Sequence, residues 1–417
     1  MITGEPTAGE MRASLNLVGF IVFVDMLGIG LILPVMPRLI AEVAHVGIAR
    51  AAELGGYLLF AYAVMQFLCA PVIGGLSDRF GRRPVLLVTL VALGVDYAVM
   101  AWAPSYGWLF AGRMISGVMG ATWAASNACI ADCLPPEERG AEFGRLGGFG
   151  AAGFVLGPAL GGLAGTLGTR WPFVIAAVLA LSGAAAGLVV LRETLAASRR
   201  RAFTLGRANP FGTLVQMVRI PFVALCLLVA FLMQLAAQSQ LSIWPYWGAL
   251  VFGWSPLVAG LTVTAFGVGI GLVQGMATGK VIARVGPSAT ARFSLLFGLP
   301  SYLLLAFAGN TATAMLGVAC GVMTGMTFPA LQQLMSSRVP HDAQGELQGA
   351  IASAISLTSI IGPLVMTRIF ASYAPRGLPG APYLLACAIL SLALALLWWT
   401  LLAGPGKRGL GDAPATT

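Results

Sequence analysis

Twelve apolar runs recur along the chain, each about the 20 residues that an α-helix needs to cross a hydrocarbon core of roughly 30 Å. They fall near 14–36, 54–76, 85–103, 107–131, 142–167, 170–191, 218–250, 256–279, 290–308, 311–337, 345–371 and 379–403. Lipid offers no partner to a backbone N–H or C=O, so runs of this kind must be helices that satisfy their polar groups internally. Only 9% of the 417 residues are charged and 58% are hydrophobic, which excludes an ordinary soluble domain, where about a quarter of residues carry charge. The 54 glycines would weaken helices in water, but between membrane helices they let backbones approach closely. The expected fold class is an all-α membrane protein with twelve transmembrane helices.

Residues 1–13 carry Glu5, Glu10 and Arg12 and no small-residue cleavage site, so the first run is expected to be a retained helix. The six cysteines fall inside apolar runs or, for Cys133, at the edge of one, without a C-x-x-C pair, and read as small packing residues. Of the 24 Lys and Arg, 18 fall on one side if both termini share it, among them Arg79, Arg82, Arg83, Arg139, Arg145, Lys280 and Arg284. The positive-inside rule then places both termini in the cytoplasm. The net charge of +9 needs no nucleic-acid partner, because basic loops facing anionic lipid account for it.

A single shift of 205 residues aligns three separate places in the chain. Gly74, Arg79 and Gly81 fall on Gly279, Arg284 and Gly286; Pro135 and Gly140 fall on Pro340 and Gly345; Gly157-Pro158 falls on Gly362-Pro363. The chain therefore reads as two pseudo-symmetric six-helix bundles, 1–191 and 218–417, joined by a basic linker at 192–217. Parallel six-helix repeats place a substrate site near the midplane between the halves.

Asp25 and Asp96 each lie within an apolar run, where an ionised carboxylate is costly and must face a cavity or a partner. His45 and His341 both fall in loops, which leaves the carboxylates as the groups that can bind and release protons within the membrane. Two readings stand side by side for these acids: a proton or substrate role, or a structural partnership with Arg113 or a helix end. Arg113 keeps its proton, and either holds a nearby Asp ionised, binds an anionic group, or snorkels to the headgroups. Gln66, Gln234, Gln238, Gln274, Gln332 and Gln333 are amides in apolar runs, and Gln234 and Gln238 share a helix face. Such amides serve equally as interhelical bonds or as contacts to a polar substrate. Trp244 and Trp247 are expected at the outer membrane interface. Gly150, Gly153, Gly157, Gly161 and Gly162 with Pro158 form a small-residue face suited to close helix contact and a bend.

The stretch "GGLSDRFGRRPVLL" places Asp78, Arg79, Arg82 and Arg83 between two apolar runs. Gly74, Asp78, Arg79, Gly81, Arg82 and Arg83 match the loop signature of the major facilitator superfamily, which the chain resembles. "LGIGLILPVMP" from Leu27, "RMISGVMGA" from Arg113 and "GFGAAGFVLGPALGG" from Gly148 resemble the first-, fourth- and fifth-helix signatures of its drug/proton antiporters. "DMLGIGLILPVMP", "AYAVMQ" and "DYAVMAW" are similar to the tetracycline/proton antiporters, whose membrane acids on helices one and three map onto Asp25 and Asp96. Where that family has an acid on helix nine this chain has Gly298, and where it has a His on helix eight this chain has about Ile270.

The resemblance implies proton-coupled efflux of small amphipathic drug-like molecules, tetracycline-type antibiotics among them, across the inner membrane by alternating access. Proton coupling would rest on Asp25, Asp96 and Arg113, and substrate contact on these with Gln66, Gln234, Gln238 and Gln274. Gating would use the loop Gly74 to Arg83, Asp132 at the end of helix four, and Gly150, Gly153, Gly157 and Pro158. The alternative is a symporter importing a small metabolite. The expected protein is not an enzyme, needs no cofactor or metal, works in the lipid bilayer as a monomer, and takes only a small molecule and protons as partners. "GFGAAG" lacks a preceding strand, and "GMATGKV" lacks the spacing and the Ser/Thr of a phosphate loop, so neither supports nucleotide use.

Overall fold

The computed structural model describes residues 8–120, 122–200, 217–340 and 343–403. Within the first half the crossings are α1 (Ala8–Ile32), α2 (Ile48–Phe80), α3 (Arg82–Ala101), α4 in two pieces (Tyr106–Met119 and Thr122–Cys133), α5 (Pro136–Ala164) and α6 (Trp171–Val190). Within the second, α7 is Pro221–Phe252. The helical stretch Pro256–Ala306 holds both α8 and α9, divided at Gly286. α10 is Thr311–Val322 continued by Thr327–Ser336, α11 is Gln344–Tyr373 and α12 is Ala381–Ala403. Among the described residues, ten stretches are long and apolar enough to span a membrane as continuous helices. The divided stretch makes two crossings and the two-piece α4 adds one, which brings the total to the expected twelve.

Local chemistry sets several of these boundaries. Proline opens α5, α6, α7 and α8 at the first or second position, where no intrahelical N–H bond is lost. Gly81 ends α2 at φ 106°, ψ 162°, and Gly286 ends α8 at φ 80°, ψ 161°, a region that side chains rarely enter. These two glycines are 205 residues apart, so the sequence repeat is also a repeat of backbone geometry. Residues 201–216 of the linker lie outside the described residues, as do 1–7, Ala121, 404–417, His341 and Asp342.

Two ends of the molecule differ. The basic end carries the turn from Asp78 to Arg83 and its copy around Arg284; the far end carries the short helix Met36–Ala44 and the turns at Arg170 and Gly253. At the far end the halves touch backbone to backbone. A Cβ on Gly162 would lie 2.9 Å from Leu257 Cα, one on Gly260 would collide with the Pro158 carbonyl, and Thr264 Oγ1 donates to the Val155 carbonyl at 2.8 Å. Gly56 of α2 likewise sits against Thr367 of α11. At the basic end the turn is held by its own half and by the start of the linker. Arg82 pairs with Asp78 (2.6 Å) and Asp132 (2.9 Å), donates to Ser77 Oγ at 3.0 Å, and its backbone N–H donates to Glu193. Arg83 donates to the Leu188 carbonyl at 2.6 Å, and Arg79 lies 5.1 Å over the Phe80 ring. The described molecule is thus closed at the far end.

The small-residue face of α5 divides its work. Gly153 meets Phe23 and Leu27, Gly157 meets Gly30 across α1 at 2.7 Å from a Cβ to Cα, and Gly150 receives Trp123, all within the first half. Gly162 and the Pro158 carbonyl face α8.

The expectation for Trp244 and Trp247 is corrected. Both are buried among Trp254, Phe252 and Tyr383, with ring centroids 4.9–6.1 Å apart, because the aromatic packing of α7 with α12 offers them more apolar surface than a headgroup layer. The exposed tryptophans that suit a membrane interface are Trp102, Trp108 and Trp171 at the far end and Trp398 and Trp399 at the basic end.

Candidate functional site

Four helices of the first half bring their polar side chains to one place. Arg113 of α4 donates to Asp96 Oδ2 of α3 at 2.6 Å, and the Ser116 hydroxyl, one turn further along α4, donates to the same oxygen. The Asp96 side chain is fully buried and that of Arg113 is 9% exposed, so snorkelling to headgroups is excluded. The guanidinium also lies 5.8 Å from the Tyr62 ring and 5.9 Å from the Tyr97 ring, within cation–π range. Removing one partner of a buried pair of this kind typically costs about 3–5 kcal/mol, since the other charge is left without compensation.

Glycines make this packing possible. A Cβ on Gly112 would collide with Asp96 Oδ1, and one on Gly28 of α1 would lie 2.6 Å from the Tyr97 hydroxyl. Asp25 of α1 is 8% exposed, takes a side-chain hydrogen bond from Thr122, and is close enough to Tyr62 and Tyr97 to interact electrostatically with both. Gln66 of α2 donates to the Gly120 carbonyl at 2.9 Å, at the break in α4, and to Tyr62 at 3.3 Å. Asp96 Oδ1, Arg113 Nε and the Tyr97 hydroxyl are buried without a hydrogen-bond partner among the described residues. Each such orphan costs roughly 1–3 kcal/mol, and an unpartnered carboxylate oxygen is a place for a proton.

The second half contributes something different, a cavity of about 290 Å³. α7 supplies Met233, Gln234, Gln238, Gln240 and Trp244; α8 supplies Thr262, Phe266, Ile270 and Gln274; Tyr302, Thr324 and Phe328 add further wall, while α1 and α5 reach it through Leu33 and Phe154. Among the described residues, no charged side chain lines it. Gln238 donates to Ser359 at 3.3 Å and Gln274 to the Gly325 carbonyl at 3.1 Å, whereas Gln234 and Gln240 make no hydrogen bond among the described residues and present free amides. Trp244 donates to Thr262 at 2.9 Å.

The structure therefore sorts the expected site residues into groups. Asp25, Gln66, Asp96 and Arg113 come together in the first half and do not line the cavity; Gln234, Gln238 and Gln274 do. The two groups are neighbours across α1 and α5, since Gly153, next to the cavity residue Phe154, packs against Phe23 and Leu27 on either side of Asp25. Gln332 donates to Gln348 at 3.0 Å near the basic end, away from both groups. Tyr62, Tyr97, Ser116, Thr122, Phe154 and Tyr302 escape a reading by residue type, since hydroxyls and aromatics in apolar runs look like packing; Gln240 is a further amide in the apolar run that holds Gln234 and Gln238, and its residue type was the available signal.

Position 270 lines the cavity with an Ile, and Gly298 is packed against Leu390 and Thr324 with no room for a side chain.

Comparison with known proteins places this arrangement in a family. The sequence model of the Major Facilitator Superfamily matches residues 18–363 and again 226–416. The tetracycline resistance protein, class C, of Escherichia coli is 40% identical over 356 residues, covering 85% of this chain and 88% of that protein. The class E protein of Escherichia coli is 36% identical over 381 residues, covering 90% and 92%. A solved bacterial homolog of the human lysosomal transporter Spinster, in an inward-facing and occupied conformation, superposes with a TM-score of 0.78 at 15% identity, covering 95% of this chain and 98% of that one. With this fold and relatives at this identity over most of its length, the chain belongs to the major facilitator superfamily, among the tetracycline resistance proteins.

Proposed function

We propose that the protein is a proton-coupled efflux transporter that exchanges external protons for small amphipathic drug-like molecules, tetracycline-type compounds among them, by alternating access. The observation that carries this reading is the buried Asp96–Arg113–Ser116 group beside Asp25, set within membrane helices and apart from an amide-lined cavity. Asp25 and Asp96 carry the proton and Arg113 holds Asp96 ready to release it; Gln234, Gln238, Gln240 and Gln274 hold the substrate. Because the carboxylates and the cavity are separate, coupling runs through the conformational equilibrium. Protonation and substrate binding each favour a different state, and each shifts the balance only by its differential affinity. One charge moved through 100 mV supplies about 2.3 kcal/mol, enough for roughly a fifty-fold gradient.

The Arg-rich end faces the cytoplasm, by the positive-inside rule, with both termini on that side. In that orientation the far-end contacts of α5 with α8 and of α2 with α11 close the external gate. The two halves, 1–191 and 218–417, rock about that contact, and the Asp78–Arg82–Asp132 group stiffens the cytoplasmic end of the first half.

Everted vesicles test the assignment. Asp25→Asn and Asp96→Asn are expected to insert normally and to lose substrate-induced proton flux and pH-driven drug accumulation; full activity in both variants would overturn the reading.

A further inference from the structure

We infer that Gly362 of α11 is a positioning residue for the cavity amide Gln238: its missing side chain leaves a notch that seats Gln238 against α11 and so keeps the cavity open to substrate. This deepens the proposed function and rests on it. Gln238 is 7% exposed and lines the cavity from α7. A Cβ on Gly362 would lie 2.5 Å from Gln238 Cβ and 3.3 Å from its Cδ, and would collide with its Cγ. The stem of the amide thus fills the space that a larger residue would take. One turn earlier on α11, Ser359 Oγ accepts from the Gln238 amide at 3.3 Å and itself donates to the Ile355 carbonyl at 3.3 Å. α11 therefore holds Gln238 at both stem and head. The amide has a second N–H and a carbonyl oxygen, and these are what it offers a ligand.

The repeat separates this role from ordinary helix packing. At the 205-residue offset Gly362 corresponds to Gly157 and Gln238 to Leu33, and both Leu33 and Gln238 line the cavity. Yet a Cβ on Gly157 would meet backbone, the Gly30 Cα and the Leu27 carbonyl oxygen each at 2.7 Å, whereas the three atoms nearest a Cβ on Gly362 all belong to the Gln238 side chain. The first glycine brings two helices together; the second makes room for one amide. α11 has no space to retreat from Gln238, because α2 closes its other side. There the Pro363 carbonyl oxygen would lie 3.1 Å from a Cβ on Gly56, and Thr367 sits against the same glycine. In a packed interior an added methyl group displaces whichever neighbour has open space beside it. Here that neighbour is Gln238, which faces the cavity.

Tetracycline uptake into everted vesicles under a fixed pH gradient tests the assignment. Gly362→Ala is expected to raise the KM about fivefold or more with the maximal rate within about twofold, and Ser359→Ala, which removes only the acceptor, to raise it about two- to threefold. Gln238→Gly empties the notch. Adding Gly362→Ala to that variant is expected to change its KM by less than about twofold, because the group that the methyl would displace is gone. If Gly362→Ala alone fails to insert, insertion restored by Gln238→Gly supports the inference, and failure of the double variant as well overturns it. An unchanged KM in Gly362→Ala, or the same rise with and without Gln238→Gly, would also overturn it while leaving proton-coupled efflux in place. If the unaltered protein moves no tetracycline under the pH gradient, the efflux reading for that compound falls and takes the inference with it.

Discussion

Laid over each other at the 205-residue offset, the two halves use the same joint between their third and fourth helices for two chemistries. In the first half, Asp96 of α3 meets Gly112, Arg113 and Ser116 of α4; the corresponding residues of the second half are Ser301, Gly317, Val318 and Gly321. There the Ser301 hydroxyl donates 2.7 Å to the Gly317 carbonyl, and a Cβ on Gly321 would lie 2.8 Å from that hydroxyl. The close packing is common to both halves and the charge belongs to one. The fold evidently holds this joint together with a neutral bond, so the buried ion pair of the first half is not explained by stability, and buried ion pairs are weak stabilisers in any case. A second feature is common to both. Gln66 donates to the Gly120 carbonyl and Gln274 to the Gly325 carbonyl, two glycines at equivalent positions where α4 and α10 each depart from regular helix. Each amide satisfies a carbonyl freed by the break.

The comparison can be broken most severely at Arg113. Arg113→Ala leaves Asp96 buried and unpaired, with an expected loss of about 3–5 kcal/mol and of proton-coupled transport, read by thermal unfolding and by vesicle proton flux; Val318→Ala at the equivalent site is expected to cost about 1 kcal/mol. The double change Asp96→Ser with Arg113→Val converts the joint of the first half into that of the second. It is expected to unfold within about 2 kcal/mol of the parent and to lose coupling, and a coupled double variant would show that the pair is structural.

Next comes Gly112→Ala, whose methyl group runs into Asp96, against Gly317→Ala, whose methyl group would lie 3.1 Å from the Leu305 side chain and the Ser301 carbonyl. The first should reduce transport at least tenfold and the second less than threefold. Gln66→Ala and Gln274→Ala should each cost about 1 kcal/mol through the orphaned carbonyl, but only Gln274→Ala should raise the KM for drug, because only that amide lines the cavity. The smallest effect belongs to the basic end, where Arg284→Ala should stay within about 0.5 kcal/mol in thermal unfolding. Arg82→Ala, which removes partners from Asp78, Asp132 and Ser77, should exceed it clearly.

Helices and repeat were legible in the sequence because lipid imposes one solution on a 20-residue apolar run and because a positive φ leaves glycine in both copies. Asp25, Asp96 and Arg113 were legible for a related reason: an ionisable group in hydrocarbon is rare enough to point to a role. The cavity was only partly legible. Its amides were visible as Gln234, Gln238 and Gln274, yet nothing in their spacing separates them from Gln66, which spends its amide on a helix break. Trp244 was misplaced because an indole has an apolar body and a polar edge, and it suits a membrane interface and a cavity wall equally well. That the carboxylates do not line the cavity, whose wall comes mainly from the second half, depends on how the bundles pack, which local pattern does not encode.

The contact between α5 and α8 at the far end has one more consequence. Gly162, Gly260 and the Pro158 and Pro256 carbonyls meet there without a flexible side chain between them. Ordering a long side chain costs up to about 2 kcal/mol of rotamer freedom, whereas glycine and proline have none to lose. Under the proposed alternating access, such a contact would shut and part once per cycle without freezing and thawing rotamers each time, and its speed would be set by the motion of whole helices.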